Sequence, residues 1–94
     1  MMNWSEAVLR LDSSLSPPAR TLVDAISRFF ATHASARCAF YDNEAAALTG
    51  VSSEVMRQAK YELLRKGYLC ELPARGNGKP VYGLRLGTKV DDAA

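Results

Sequence analysis

Glu54, Arg57, Gln58 and Tyr61 follow one another at intervals of three, one and three, which brings four polar side chains to one face of a helix. The chemistry such a set offers is hydrogen bonding to planar polar edges. The Arg57 fork fits guanine O6 and N7 together, the Gln58 amide matches adenine N6 and N7, and the Glu54 carboxylate can accept from cytosine N4. Ser52 and Ser53 stand just ahead, and a Ser-capped helix start with its macrodipole favours phosphate. Lys60 and Tyr61 are better suited to phosphate oxygens than to bases. Further on, Arg75, Asn77 and Lys79 sit in Pro73-Ala74-Arg75-Gly76-Asn77-Gly78-Lys79-Pro80, a turn whose length suits contact with a neighbouring backbone or a minor groove.

Other chemistries find less support. His33 is the one histidine, set at a helix end beside Ala34-Ser35-Ala36, where a solvated C-terminal residue is expected rather than a catalyst. No serine stands in a nucleophile-elbow context. Gly76-Asn77-Gly78-Lys79 lacks the four-residue spacer between glycines and the hydroxyl residue after Lys that a phosphate loop needs, so turn chemistry accounts for it. Cys38 and Cys70 lie far apart among apolar neighbours, with neither a paired-Cys motif nor a Cys/His cluster. Buried reduced thiols are expected, not a disulfide or a metal site. No enzyme activity, metal or cofactor is expected.

The formal net charge of +2 hides an asymmetry. Residues 1–50 carry four basic side chains (Arg10, Arg20, Arg28, Arg37) against five acidic ones (Glu6, Asp12, Asp24, Asp42, Glu44). Residues 51–90 carry eight (Arg57, Lys60, Arg65, Lys66, Arg75, Lys79, Arg85, Lys89) against three (Glu54, Glu62, Glu71), and Asp91 and Asp92 follow. The positive field belongs to the second half, which raises the expectation of a polyanionic partner. A chain of 94 residues makes one small domain that buries about two-thirds of its unfolded surface, enough for one core and too little for a large catalytic cavity.

The elements that must position these side chains follow from periodicity. Trp4, Val8, Leu11 and Leu15 form one stripe on a short N-terminal helix, expected to be a lid on the domain's own core and, as a second reading, half of a dimer seam. Ser16-Pro17-Pro18 starts a helix that should run from Pro17 to about His33, with Leu22, Val23, Ile26, Phe29 and Phe30 on its apolar side. Cys38-Ala39-Phe40-Tyr41 suits a brief strand. Asp42 or Asn43 then caps a helix that Thr49-Gly50 stops. Ser52 or Ser53 caps the next, whose inward face is expected to be Val55, Met56, Ala59 and Leu63 with Leu64 at its margin, ending at Lys66-Gly67. Tyr68 to Leu72 and Val81 to Leu86 alternate as the two strands of a hairpin, with Tyr68, Cys70 and Leu72 on one face and Tyr82, Leu84 and Leu86 on one face.

The segment FYDNEAAALTGVSSEVMRQAKYELLRKGYL resembles the helix-turn-helix core of winged-helix DNA-binding domains. Gly50-Val51-Ser52 is similar to the turn of that family, Leu63-Leu64-Arg65-Lys66-Gly67-Tyr68-Leu69 to the end of its recognition helix, and CELPARGNGKPVYGLRL to its wing. The likeness spans roughly residues 17–87 and names a superfamily, not a subfamily. It implies an α+β fold with a three-helix core plus a small antiparallel sheet, preceded here by an extra short helix. It also implies that the strand after the first helix pairs with the return strand of the wing, which keeps Cys38 and Cys70 a strand apart and too far for a disulfide.

The expected organisation is an N-terminal helix over residues 1–15, a winged-helix domain over 16–88 and a tail over 89–94. The expected function is a sequence-specific transcriptional regulator of bacterial, phage or plasmid origin. It would bind double-stranded DNA as a homodimer, with its recognition helix in the major groove and its wing on the backbone or minor groove. The alternative is a winged-helix module that docks on, or inhibits, a larger nucleic-acid-processing assembly. No apolar run approaches a bilayer span, and MMNWSEAVLR has no signal-peptide pattern, so a cytoplasmic protein without a membrane partner is expected.

Overall fold

Asn3, Ser16 and Ser52 each open a helix by accepting one of its orphan amides. The computed structural model describes residues 3–32, 36–74 and 78–86. Asn3 opens α1 (Trp4–Leu11): its side chain accepts the Glu6 N–H at 2.9 Å while the Glu6 carboxylate accepts the Asn3 N–H at 3.3 Å. Ser16 opens α2 (Pro17–Ala25), accepting the Ala19 N–H at 3.3 Å with prolines in the first two helical positions. Ser16 also donates its hydroxyl to Glu62 at 2.7 Å and its N–H to the same carboxylate at 3.0 Å, so one residue both caps α2 and ties it to the helix that carries Glu62.

The helix from Pro17 does not reach His33. α2 passes at Ala25 into a π-helical turn (Ile26–Phe30), closed by the Ala31 N–H donating to Ile26 O, and the chain then extends as β1 (Ala31–Thr32). Apolar spacing alone could not reveal this, because Phe30 is drawn out of helical register to stack on Phe40, with centroids 5.0 Å apart. Phe29, expected on the apolar side, is exposed. His33 lies outside the described residues.

β2 (Arg37–Ala39) leads into α3 (Asp42–Thr49), α4 (Ser53–Arg65), β3 (Leu69–Leu72) and β4 (Val81–Leu84). The fold is mixed α+β, and its strands form one antiparallel sheet in the order β1-β2-β4-β3. In this register Cys38 pairs with Tyr82 and Leu69 with Leu84, facing the helices, whereas Cys70 pairs with Gly83 and Leu72 with Val81 on the other face. The strand thus starts at Leu69. Tyr68 is not a partner of Cys70 and Leu72 on one strand face; it lies buried in the bend before β3, and Leu86 lies exposed beyond β4. Gly83 is glycine for a steric reason: a Cβ there would stand 2.9 Å from Cys70 Sγ.

The core joins the helices to the sheet. Leu22, Val23 and Ile26 of α2 meet Met56, Ala59 and Leu63 of α4, Ala45 of α3, and Phe40, Leu69 and Tyr82 from the sheet side. Val8 and Leu15 belong to the same core, so α1 is a lid on it. The expected four-residue stripe divides, however: α1 stops at Leu11, which is 56% exposed, Trp4 is half-buried, and Leu15 enters the core from the loop beyond the helix. No described helix is long and apolar enough to cross a membrane.

The two cysteines differ in kind. Cys38 is buried beneath the sheet, and burial pushes its thiol up to about 12; Cys70 is half-buried on the outer face. β4 lies between their strands. A thiol reagent at pH 8 should therefore label Cys70 in the native protein and Cys38 only after unfolding, as mass spectrometry of the labelled peptides would show. Equal labelling rates would refute the placement of Cys38.

Candidate functional site

The polar face of α4 is set by what precedes it. Neither Asp42 nor Asn43 caps α3. Its cap is the backbone of Tyr41, whose N–H is accepted by Glu44 Oε1 at 2.8 Å, leaving Asp42 as the first helical residue. Gly50, at φ 77°, ends α3 in the left-handed region that only glycine enters without strain, and its N–H donates to Ala46 O at 2.9 Å. Ser52 then opens α4 by accepting the Val55 N–H at 3.2 Å. Met56, Ala59 and Leu63 seat that helix on the core, and Ser53, Glu54, Arg57, Gln58 and Tyr61 stay exposed. Val55, expected inside, is 37% exposed, because the buried stripe runs through Met56 one residue later.

Glu54 gathers its neighbours. One carboxylate oxygen pairs with Arg57 Nη2, and the other accepts from Gln58 Nε2 at 3.0 Å. The hydrogen bond from Arg57 and that from Gln58 hold the Glu54 carboxyl below its usual range, and the same bond raises Arg57. The three side chains proposed to address base edges thus form one preassembled group. The ion pair is about half exposed on both sides, a setting in which such pairs contribute little to stability.

Two further cations are held across elements. Lys60 is not on the exposed face: its side chain is only 12% exposed, and Nζ lies 3.0 Å from Asp42 Oδ1 and above the rings of Tyr61 and Tyr82. Burial alone would lower the ammonium, but the Asp42 hydrogen bond, together with the charges of Tyr82 and Asp42 and a hydrogen bond with Tyr82, raises it. An expectation of phosphate contact from Lys60 therefore meets a side chain engaged in bracing α4 against α3. Lys79 Nζ lies 2.9 Å from Glu44 Oε2 and over the Tyr41 ring. Glu44 is lowered first by the Tyr41 N–H and then by Lys79. Arg75 and Asn77 lie outside the described residues, so of the hairpin trio only Lys79 has a place.

Sequence reasoning missed Asp42 and Glu44 as partners of these lysines, since no local spacing links positions 18 or 35 residues apart. It also missed an open groove of about 580 Å³ between the start of α2 and α4, where Pro18, Val55, Ala59 and Tyr61 lie among Glu54, Arg57, Glu62 and Arg65. Among the described residues no group of three His, Cys, Asp or Glu side chains is arranged to hold a metal ion. Compared with protein-family models, with curated proteins and with solved structures, the chain matches none.

Proposed function

We propose that the protein is a winged-helix DNA-binding domain acting as a small transcriptional regulator of bacterial, phage or plasmid origin, with α4 as the recognition helix and the β3–β4 hairpin as the wing. The observation that carries this reading is the outward face of α4. A helix anchored by Met56, Ala59 and Leu63 presents Ser53, Glu54, Arg57, Gln58 and Tyr61 together, a donor and acceptor set that matches base edges in a major groove. The chain order of helix, short strand, helix, Gly turn, helix and hairpin supports it. A homodimer on a pseudo-palindromic site remains part of the proposal, but its seam is not the Trp4/Val8/Leu11/Leu15 stripe, since Val8 and Leu15 serve the protomer's own core.

The test is titration of labelled genomic duplex fragments at several salt concentrations. Specific binding with a negative salt slope is expected; no binding, or binding indifferent to salt, overturns the reading. On duplexes carrying single-base changes, Arg57→Ala should lose about tenfold discrimination at one position, while Lys79→Ala should weaken all sequences alike. Equal, small effects of both would show that neither side chain touches DNA.

A second reading is favoured by one observation: Arg57 and Lys79 each face a carboxylate, Glu54 and Glu44 respectively, and Lys60 is drawn off the exposed face to Asp42. A face so neutralised, beside a groove with half-exposed Val55 and Tyr61, also suits a protein partner. In that case the domain would dock on a larger nucleic-acid-processing assembly instead of binding duplex itself.

A further inference from the structure

Resting on the duplex-binding reading, we infer that Glu54 is a positioning residue that masks the charge of Arg57 and aligns it with Gln58, so that α4 distinguishes sequences by hydrogen bonds while contributing little sequence-blind attraction to phosphate. The geometry is specific. Glu54 spends one oxygen on Arg57 and the other on Gln58, and both partners lie on its own helix, three and four residues further along. The guanidinium keeps donors beyond the Nη2 group bound to Glu54, and the Gln58 amide keeps its oxygen and its second hydrogen, so both retain groups for a base pair. What the carboxylate removes is the net positive charge.

That removal matters because phosphate attraction acts on every sequence equally, and each cation that meets a phosphate adds about 0.9 to the salt slope. An unmasked Arg57 on an exposed helix start would slide to the nearest phosphate as readily as to a guanine. Glu54 penalises the phosphate position twice, by pairing with Arg57 and by repelling the phosphate itself. A base edge carries no net charge and incurs neither penalty.

The consequence is measurable with the full chain, a selected duplex and an unrelated competitor duplex. Glu54→Gln keeps the shape of the side chain and removes its charge. It should steepen the salt slope by about 0.9, raise affinity for the competitor at low salt, and reduce discrimination between the two duplexes roughly tenfold. The double variant Glu54→Gln/Arg57→Gln carries the same net charge as the wild type and should return the slope to its original value while discrimination stays low. That reversal is one that a merely structural role of Glu54 would not produce. Asp24→Asn, which removes the exposed Asp24–Arg28 pair on α2, should leave slope and discrimination unchanged. If the wild type binds duplex and Glu54→Gln alters neither slope nor discrimination, the masking role is overturned while duplex binding stands. If neither protein binds duplex at any salt, both are overturned together.

Discussion

Phe40→Ala should lower the stability of the domain by about 3–5 kcal/mol, which for a chain of this size is a fall of roughly 12–40 °C in the thermal midpoint. Phe40 is 1% exposed and has no room to relax into solvent. Its ring stacks on Phe30 at 5.0 Å and tilts against Tyr82 at 5.2 Å, so it links the π-helical turn to β4. It also immediately precedes the Tyr41 cap of α3, so the void left by alanine opens beside the helix that orients α4. Since small domains have only about 5–15 kcal/mol in hand, the variant should be marginal at 37 °C. Phe40→Leu keeps most of the volume and should cost far less. Melting curves followed by circular dichroism check both; a fall of less than about 5 °C for the alanine variant would show that the stack is dispensable.

Asp12→Asn should cost about 1.5–3 kcal/mol at neutral pH and flatten the acid limb of the stability curve. The Asp12 carboxylate accepts from the Ser14 hydroxyl and, at 2.9 Å, from its N–H, while the second oxygen lies 3.1 Å from both Lys66 Nζ and Tyr68 Oη. The Ser14 hydroxyl is the strongest influence; burial opposes it, and Lys66 and Tyr68 add to it, so the group is held far below its ordinary value of 3.8. Tyr68 is raised in turn, by burial and then by Asp12. Between the native and ordinary values the unfolded chain binds the proton and the native one does not, so stability rises with pH there. The Asp12 contribution is whole above pH ~4 and drains away as pH falls below it. Urea unfolding from pH 2 to 7 should show the two proteins converging in acid, although Glu44, Glu54 and Glu62, also lowered, keep some acid sensitivity in both. Parallel curves would exclude the role given to Asp12.

What could be seen in the sequence was local. Ser16-Pro17-Pro18, Ser52 and Gly50 act within a single turn of chain, and each cap and stop lies where those residues indicated. The limits came where a distant partner decided the conformation. Phe30 leaves helical register to reach Phe40, which periodicity within Pro17 to His33 cannot encode. The cap of α3 is Tyr41 because Glu44 reaches back to its N–H, a competition that Asp42 and Asn43 lost although both residue types cap well. The polar stripe of α4 was legible from spacing, yet the ion-pair partners of Lys60 and Lys79 were not. Those partners are carboxylates on another helix, and a count of basic residues in the second half of the chain says nothing of how many face an acid.

The indole of Trp4 donates to Arg85 O at 2.7 Å and lies 3.2 Å from Tyr68 O, 81 and 64 positions away. It is the one tryptophan of the chain. A contact spanning so much sequence can form only once the strands beyond α4 are in place, because the entropy of closing the intervening chain must already have been offset by other contacts. Nature has thus put a fluorophore on the clasp between the first helix and the last strand. Its emission should report the final closing of the molecule, lagging behind any signal from the helices, and in refolding experiments it should serve as a clock for the last step without a label being added.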